Sequence, residues 1–127
     1  MSGLDHVSFA VSDYETSIAF YVAALRPLGI APVMAFDNAG GSITGFGHDG
    51  QPYFWVGDGG ALKGRLHVCF AASSRAEVDA FHAAAMAASG SDNGAPGLRT
   101  HYHATYYAAF VLDSDGHNIE AVCHAPD

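Results

Sequence analysis

The stretch Asp5-His6-Val7-Ser8-Phe9-Ala10-Val11-Ser12 is answered later in the chain by Leu66-His67-Val68-Cys69-Phe70-Ala71-Ala72-Ser73. His6 pairs with His67, Val7 with Val68, Phe9 with Phe70, Ala10 with Ala71 and Ser12 with Ser73. The same offset carries on through Ala19 and Ala80, Phe20 and Phe81, Ala23 and Ala84, and Gly29 and Gly90. One offset held through a strand-like and then a helix-like stretch is an internal repeat, and it sets the fold.

Working outward, residues 4–11 alternate, with Val7, Phe9 and Val11 on one side and His6, Ser8 and Ala10 on the other. That is a strand with one apolar face. Ser12 or Asp13 can cap a helix. Ile18, Tyr21, Val22 and Leu25 then recur at helical spacing, so 13–25 reads as an amphipathic helix ended by Pro27 and Gly29. Strands are expected at Val33–Phe36, Ser42–Gly47 and Tyr53–Val56. An Asn38-Ala39-Gly40-Gly41 turn separates the first two, and a His48-Asp49-Gly50-Gln51 hairpin the last two. Gly57–Gly64 reads as a linker. The second half repeats the order: a strand at Leu66–Ala72, a helix from Ser73 or Ser74 to about Ser89, and strands at Tyr106–Leu112 and His117–Cys123 around Asp113-Ser114-Asp115-Gly116. Residues 91–103 read as a Gly/Pro loop with a polar aromatic cluster. Aligning Asp49-Gly50 with Asp115-Gly116 sets Phe54 opposite Glu120. The expectation is an α+β fold: one domain over 1–127, with βαβββ modules at 4–57 and 65–124.

The chain has 127 residues, half of them hydrophobic, enough for one domain with a real core. Five Lys and Arg stand against 13 Asp and Glu, a formal net charge of −8. That balance repels phosphate backbones and offers no basic face to an anionic membrane. Neither a run of transmembrane length nor a signal peptide is visible, and Cys69 and Cys123 make no disulfide framework. A cytoplasmic location with free thiols is expected.

Two βαβββ modules, a histidine on each first strand and Glu120 on the last strand resemble the vicinal oxygen chelate superfamily, also called the glyoxalase/bleomycin-resistance/dioxygenase family. The most specific pieces are Leu4-Asp5-His6-Val7 and Asp115-Gly116-His117-Asn118-Ile119-Glu120. The resemblance implies an open, cup-shaped mixed β-barrel with a divalent metal in the cup. It implies His6, His67 and Glu120 as ligands, and a homodimer. Carried to position 54, the pattern meets Phe54, which cannot ligate. Two imidazoles and one carboxylate suit Fe(II), Mn(II), Co(II), Ni(II) or Zn(II).

The residues support this independently. His6 and His67 lie on faces turned from the helices, and Glu120 alternates with apolar Ile119 and Ala121. A carboxylate on a strand of a small core needs a partner, and a metal is one. The alternative is a set of satisfied polar groups, with the histidines bonded to Tyr hydroxyls or backbone and Glu120 paired to Arg99. In the segment 99–107, Arg99 could hold an anionic substrate group, Tyr102 and Tyr106 could contact substrate, and His101 or His103 could serve as general base. An aromatic surface loop is the other reading of that segment. Cys69 is a soft ligand or a small core residue. Phe54 and Trp55 suit apolar walls of a substrate site. Gly40-Gly41 and the glycines from Gly57 to Gly60 match no phosphate-binding fingerprint.

The expected function is a metal-dependent, glyoxalase-like lyase or isomerase (lactoylglutathione lyase-like) acting on a small substrate with adjacent oxygens, with Glu120 among its catalytic residues. An extradiol-type dioxygenase and a fosfomycin-type thiol transferase are the second and third enzyme readings. The non-enzyme alternative is a metal-free drug-binding protein of the bleomycin-resistance type.

Overall fold

Alternation at both copies of the repeated phrase becomes strand, and the apolar side of each strand turns to its helix. In order the elements are β1 (Val7–Val11), α1 (Tyr14–Leu25), a short 3-10 turn (Arg26–Leu28), β2 (Ala31–Asn38), β3 (Gly41–His48), β4 (Gln51–Asp58), β5 (His67–Ala71), α2 (Arg75–Ala87), β6 (Ser91–Leu98), β7 (Tyr107–Leu112) and β8 (Asn118–Cys123). This computed structural model describes residues 4–38, 40–60 and 62–126. Met1 to Gly3, Ala39 of the expected 38–41 turn, Ala61 of the expected linker and Asp127 lie outside the described residues.

Both helices start as their caps dictate. The Asp13 carboxylate accepts from the Thr16 N–H at 3.1 Å. Ser74 Oγ accepts from the Glu77 N–H, and Glu77 reaches back to the Ser73 N–H at 2.8 Å, a reciprocal capping arrangement. Each half forms a four-stranded sheet of the same order, β1-β4-β3-β2 and β5-β8-β7-β6, with one parallel pair in each. Among the described residues no ladder joins the sheets, so they do not close into a barrel.

The helix-side faces share one core. Phe9, Phe20, Tyr21, Phe46, Phe54, Phe70, Phe81 and Ile119 belong to a single buried cluster, and α1 packs on α2. Phe54 meets Phe70 across the two halves at 5.0 Å between centroids. The opposite faces, carrying His6 and Trp55 on one sheet and His67 and Glu120 on the other, are turned from this core.

Two expectations are corrected. Residues 91–98 of the expected loop are strand β6, at the edge of its sheet. An edge strand tolerates Pro96, and the Gly94-Ala95-Pro96-Gly97 run appears as shifts in its register with β7. The second correction is the match between the halves. Ser8 faces Trp55 and Cys69 faces Glu120 in their parallel ladders, while Val7 faces Phe54 and Val68 faces Ile119. Trp55, not Phe54, is therefore the counterpart of Glu120. The hairpins explain the slip. The first turns tightly at Asp49-Gly50 and absorbs an extra residue in a bulge after Phe46. The second turns through Asp113 to His117 between Leu112 and Asn118. The strands keep step while the turn glycines do not.

Candidate functional site

On β8, Ile119, Ala121 and Cys123 enter the shared core, so Glu120 emerges on the other face. It is only 1 % exposed there, and a carboxylate so buried requires partners. Glu120 Oε1 lies 2.8 Å from His67 Nε2, and Oε2 accepts from the Tyr106 hydroxyl at 2.5 Å. His67 stands on β5, and Tyr106 stands just before β7, which pairs with β8. A carboxylate accepts only, so His67 Nε2 carries the proton in this arrangement. His67 remains half-exposed.

The surroundings set the protonation of the neighbours. Burial, and next the bond to Glu120, push the Tyr106 hydroxyl well above its ordinary range, so it stays a donor. Burial first and the Glu120 carboxylate second push the Cys69 thiol up to about 12. Cys69 nonetheless keeps surface open to solvent. At neutral pH the upward shift holds it as a protonated thiol beside Glu120.

His6 is elsewhere. Its Nδ1 lies 2.7 Å from Asp5 Oδ1, and it lines a cavity of about 450 Å³ with Tyr53, His48, Cys69, Phe70 and Ala71. His67 lines a different hollow with Arg65, Asn93 and Asn118. Two contacts explain the separation. Phe9 packs edge-on against His117 at 5.2 Å, and the Ser12 N–H donates to Asp115 at 2.9 Å. The late end of β1 thus meets the turn that enters β8, beside the start of β5, while His6 at the early end faces the end of β5. The two strands run past each other in opposite directions, which puts the histidines at opposite ends. Among the described residues no three His, Cys, Asp or Glu side chains gather closely enough to hold a metal ion. His67 and Glu120 supply two donors of a chemistry that suits a divalent ion; within one chain His6 does not join them.

Arg99 is not paired with Glu120. Its guanidinium donates to the carbonyls of Ala95, Gly97 and Ala108 and lies 5.3 Å over the Phe110 ring, which is itself 6.3 Å from His67. It borders the site but spends three N–H groups on backbone. Tyr102 is exposed and packs against Tyr106 at 5.0 Å, with His101 against Tyr102 at 4.2 Å. His103 Nδ1 pairs with Thr105 inside its own turn. His101 is thus linked to Glu120 through two side chains, Tyr102 and Tyr106, and His103 through His124 and Tyr106. Phe54 is fully buried in the core, and its ring also walls the His6 cavity. Trp55 lies on the open face of the first sheet, stacked with Phe36 at 6.3 Å and 12°.

Sequence reasoning missed Tyr106 as the group that holds Glu120, and missed Phe36 beside Trp55. No local pattern signals either, because both partnerships cross strands. It also missed the buried junction of Asp113, whose carboxylate accepts from the Tyr21 hydroxyl at 2.5 Å and from the His117 and Asp115 N–H groups at 2.9 Å, with His117 Nδ1 at 3.0 Å.

The family model described as Glyoxalase/Bleomycin resistance protein/Dioxygenase superfamily matches residues 3–121. A glyoxalase/bleomycin resistance protein from Albidiferax ferrireducens superposes with a TM-score of 0.79 at 31% identity, covering 98% of this chain and 100% of that one. A fosfomycin resistance protein, FosX, from Listeria monocytogenes, complexed with Mn(II) and 1S,2S-dihydroxypropylphosphonic acid, superposes at 0.67 with 20% identity, covering 96% and 90%. A glyoxalase I from Zea mays superposes at 0.73 with 19% identity, covering 94% of this chain and 46% of that one. At those last two identities the likeness is one of fold. A search of curated proteins finds no match.

Proposed function

Because the chain belongs to the Glyoxalase/Bleomycin resistance protein/Dioxygenase superfamily, we propose that it is a metal-dependent enzyme, a glyoxalase-like lyase or isomerase acting on a small substrate with adjacent oxygens. The observation that carries this reading is Glu120: a carboxylate 1 % exposed, turned out of the core, bonded to His67 and Tyr106. His67 and Glu120 are the two donors this chain offers. The third, His6, would come from a second copy, with the first sheet of one protomer facing the second sheet of its partner. The open faces turned from the shared core, and the opposed ends of β1 and β5, support that arrangement.

When bound, a divalent ion would supply Lewis acidity towards the substrate's oxygens. The rest falls to this chain's own groups. Glu120 holds negative charge at the site and can take a proton from the substrate. Tyr106 orients Glu120 through its hydroxyl and keeps its own proton over the working pH range. Arg99 and Tyr102 border the site, with His101 and His103 at its rim as further proton carriers.

The fosfomycin-type reading rests on Arg65, which lines the hollow of His67. A phosphonate calls for freely directed cations, and Arg99 is bonded to three carbonyls. The metal-free binding reading has one observation in its favour: both Glu120 oxygens already have protein partners. Elemental analysis after metal reconstitution, and then a panel of small substrates with adjacent oxygens, separates the two. The enzyme reading expects a bound ion, turnover, and loss of both in Glu120→Gln. No bound ion, together with unchanged behaviour of Glu120→Gln, would give the chain to the binding class.

A further inference from the structure

The first sheet carries no ligand where the second carries Glu120. Trp55 stands in that place, and the register aligns Met34, Gly45 and Trp55 in one row across β2, β3 and β4. The indole lies directly over Gly45: a Cβ there would come within 2.8 Å of the ring. Gly45 is thus a seat that any side chain would fill. Phe36 stacks beside the indole with 12° between ring planes. Phe36 is 51 % exposed and Met34 42 %, so this is an apolar, largely aromatic surface left open to solvent. Trp55 also lines a hollow of about 360 Å³ with Asp5, His6, Ser8, Ile43 and Pro52. None of these is a lysine or an arginine, and Asp5 would repel an anion.

From this we propose that Trp55 and Phe36 form a stacking platform for a planar, uncharged aromatic ring of the substrate, beside His6. The inference rests on the site reading above for what the ring's substituents would meet, but the platform itself stands on the first sheet alone. Offset stacking on a fixed ring, with Gly45 keeping the indole flat, favours a flat π-face over a puckered ring of the same size.

Trp55 is the chain's only tryptophan, so its fluorescence reports occupancy directly. The full-length chain is titrated with catechol and with its saturated counterpart, cyclohexane diol, once with a chelator and once with Mn(II). Mn(II) binding is monitored separately by electron paramagnetic resonance. Catechol should quench Trp55 saturably under both conditions, and the saturated diol should not. Phe36→Ala should weaken catechol binding by about three- to tenfold. Gly45→Ala, which unseats the indole, should weaken it as well and provides the second variant. Equal quenching by both diols, or no catechol response while Mn(II) binds, overturns the platform and leaves the metal site standing. Catechol quenching without Mn(II) binding supports the platform and overturns the metal reading. Dissociation of a dimer by Phe36→Ala with unchanged catechol affinity would make the patch an interface between copies and overturn the proposal.

Discussion

Glu120 sits where a carboxylate is costly, and its partners explain how it persists. Replacing it with Gln keeps the shape and removes the charge. Mn(II) affinity should fall by about a hundredfold or more, since even groups that only orient a ligand are worth about 10- to 100-fold. Paramagnetic resonance titration reads this directly. Tyr106→Phe removes the hydroxyl that orients Glu120 and should cost roughly 10- to 100-fold in the same titration. Cys69 offers a test that needs no metal. With its thiol pushed up to about 12, thiolate forms in the folded chain only well above the pH at which an ordinary cysteine ionises. Labelling of Cys69 by a disulfide reagent should therefore stay slow at pH 8.5 and climb steeply only at higher pH. Between the ordinary thiol range and about 12 the unfolded chain has released this proton and the folded chain has not, so stability declines as pH rises through that window. Labelling at pH 8.5 at the rate of a free cysteine would contradict the environment described for Cys69.

At the scale of elements, Asp113 binds the two halves. It caps its own turn through the Asp115 and His117 N–H groups and ties that turn to α1 through Tyr21. Asp113 and His117 are buried, and so is Tyr21. Asp113→Ala strands these donors and should cost about 3–5 kcal/mol, lowering Tm by roughly 10 °C or more. Tyr21→Phe should cost about 1–3 kcal/mol. A thermal melt of Asp113→Ala within two or three degrees of wild type, roughly the effect of under 1 kcal/mol, would show that the junction bears little load. The legibility of the elements tracked their periodicity. The repeat, both helices and the strands around the two hairpins are visible because alternation and helical spacing are written in apolar residues. β6 is not, because Ser91-Asp92-Asn93-Gly94-Ala95-Pro96-Gly97 lacks strand-forming side chains, and its place at an edge makes this tolerable. The placement of His67 and Glu120 on the face turned from the core was readable from alternation. The identity of position 55 as the counterpart of Glu120 was not, because the bulge after Phe46 moves the turn glycines out of step with the strands.

For the whole molecule, pseudo-symmetry was legible but its consequence was not. A repeat suggests that equivalent histidines meet at the axis, whereas β1 and β5 pass in opposite directions and separate them. Within one chain the shared core consumes the helix-side faces of both sheets and leaves both opposite faces open. A closed pair of chains would bring the first sheet of each onto the second sheet of the other and build two equal sites. No helix among the described residues is long and apolar enough to cross a membrane.

Complementation of two defective variants tests the proposed shared metal site most directly. His6→Ala and Glu120→Gln are purified separately, mixed in equal amounts, unfolded and refolded together, and titrated with Mn(II). Each variant alone should bind weakly. In the mixture about half of the pairs are mixed, and each mixed pair has one of its two sites intact. About a quarter of the wild-type number of tight sites should therefore return. A mixture that binds no more Mn(II) than the two variants measured apart would contradict a site assembled from His67 and Glu120 of one copy and His6 of another.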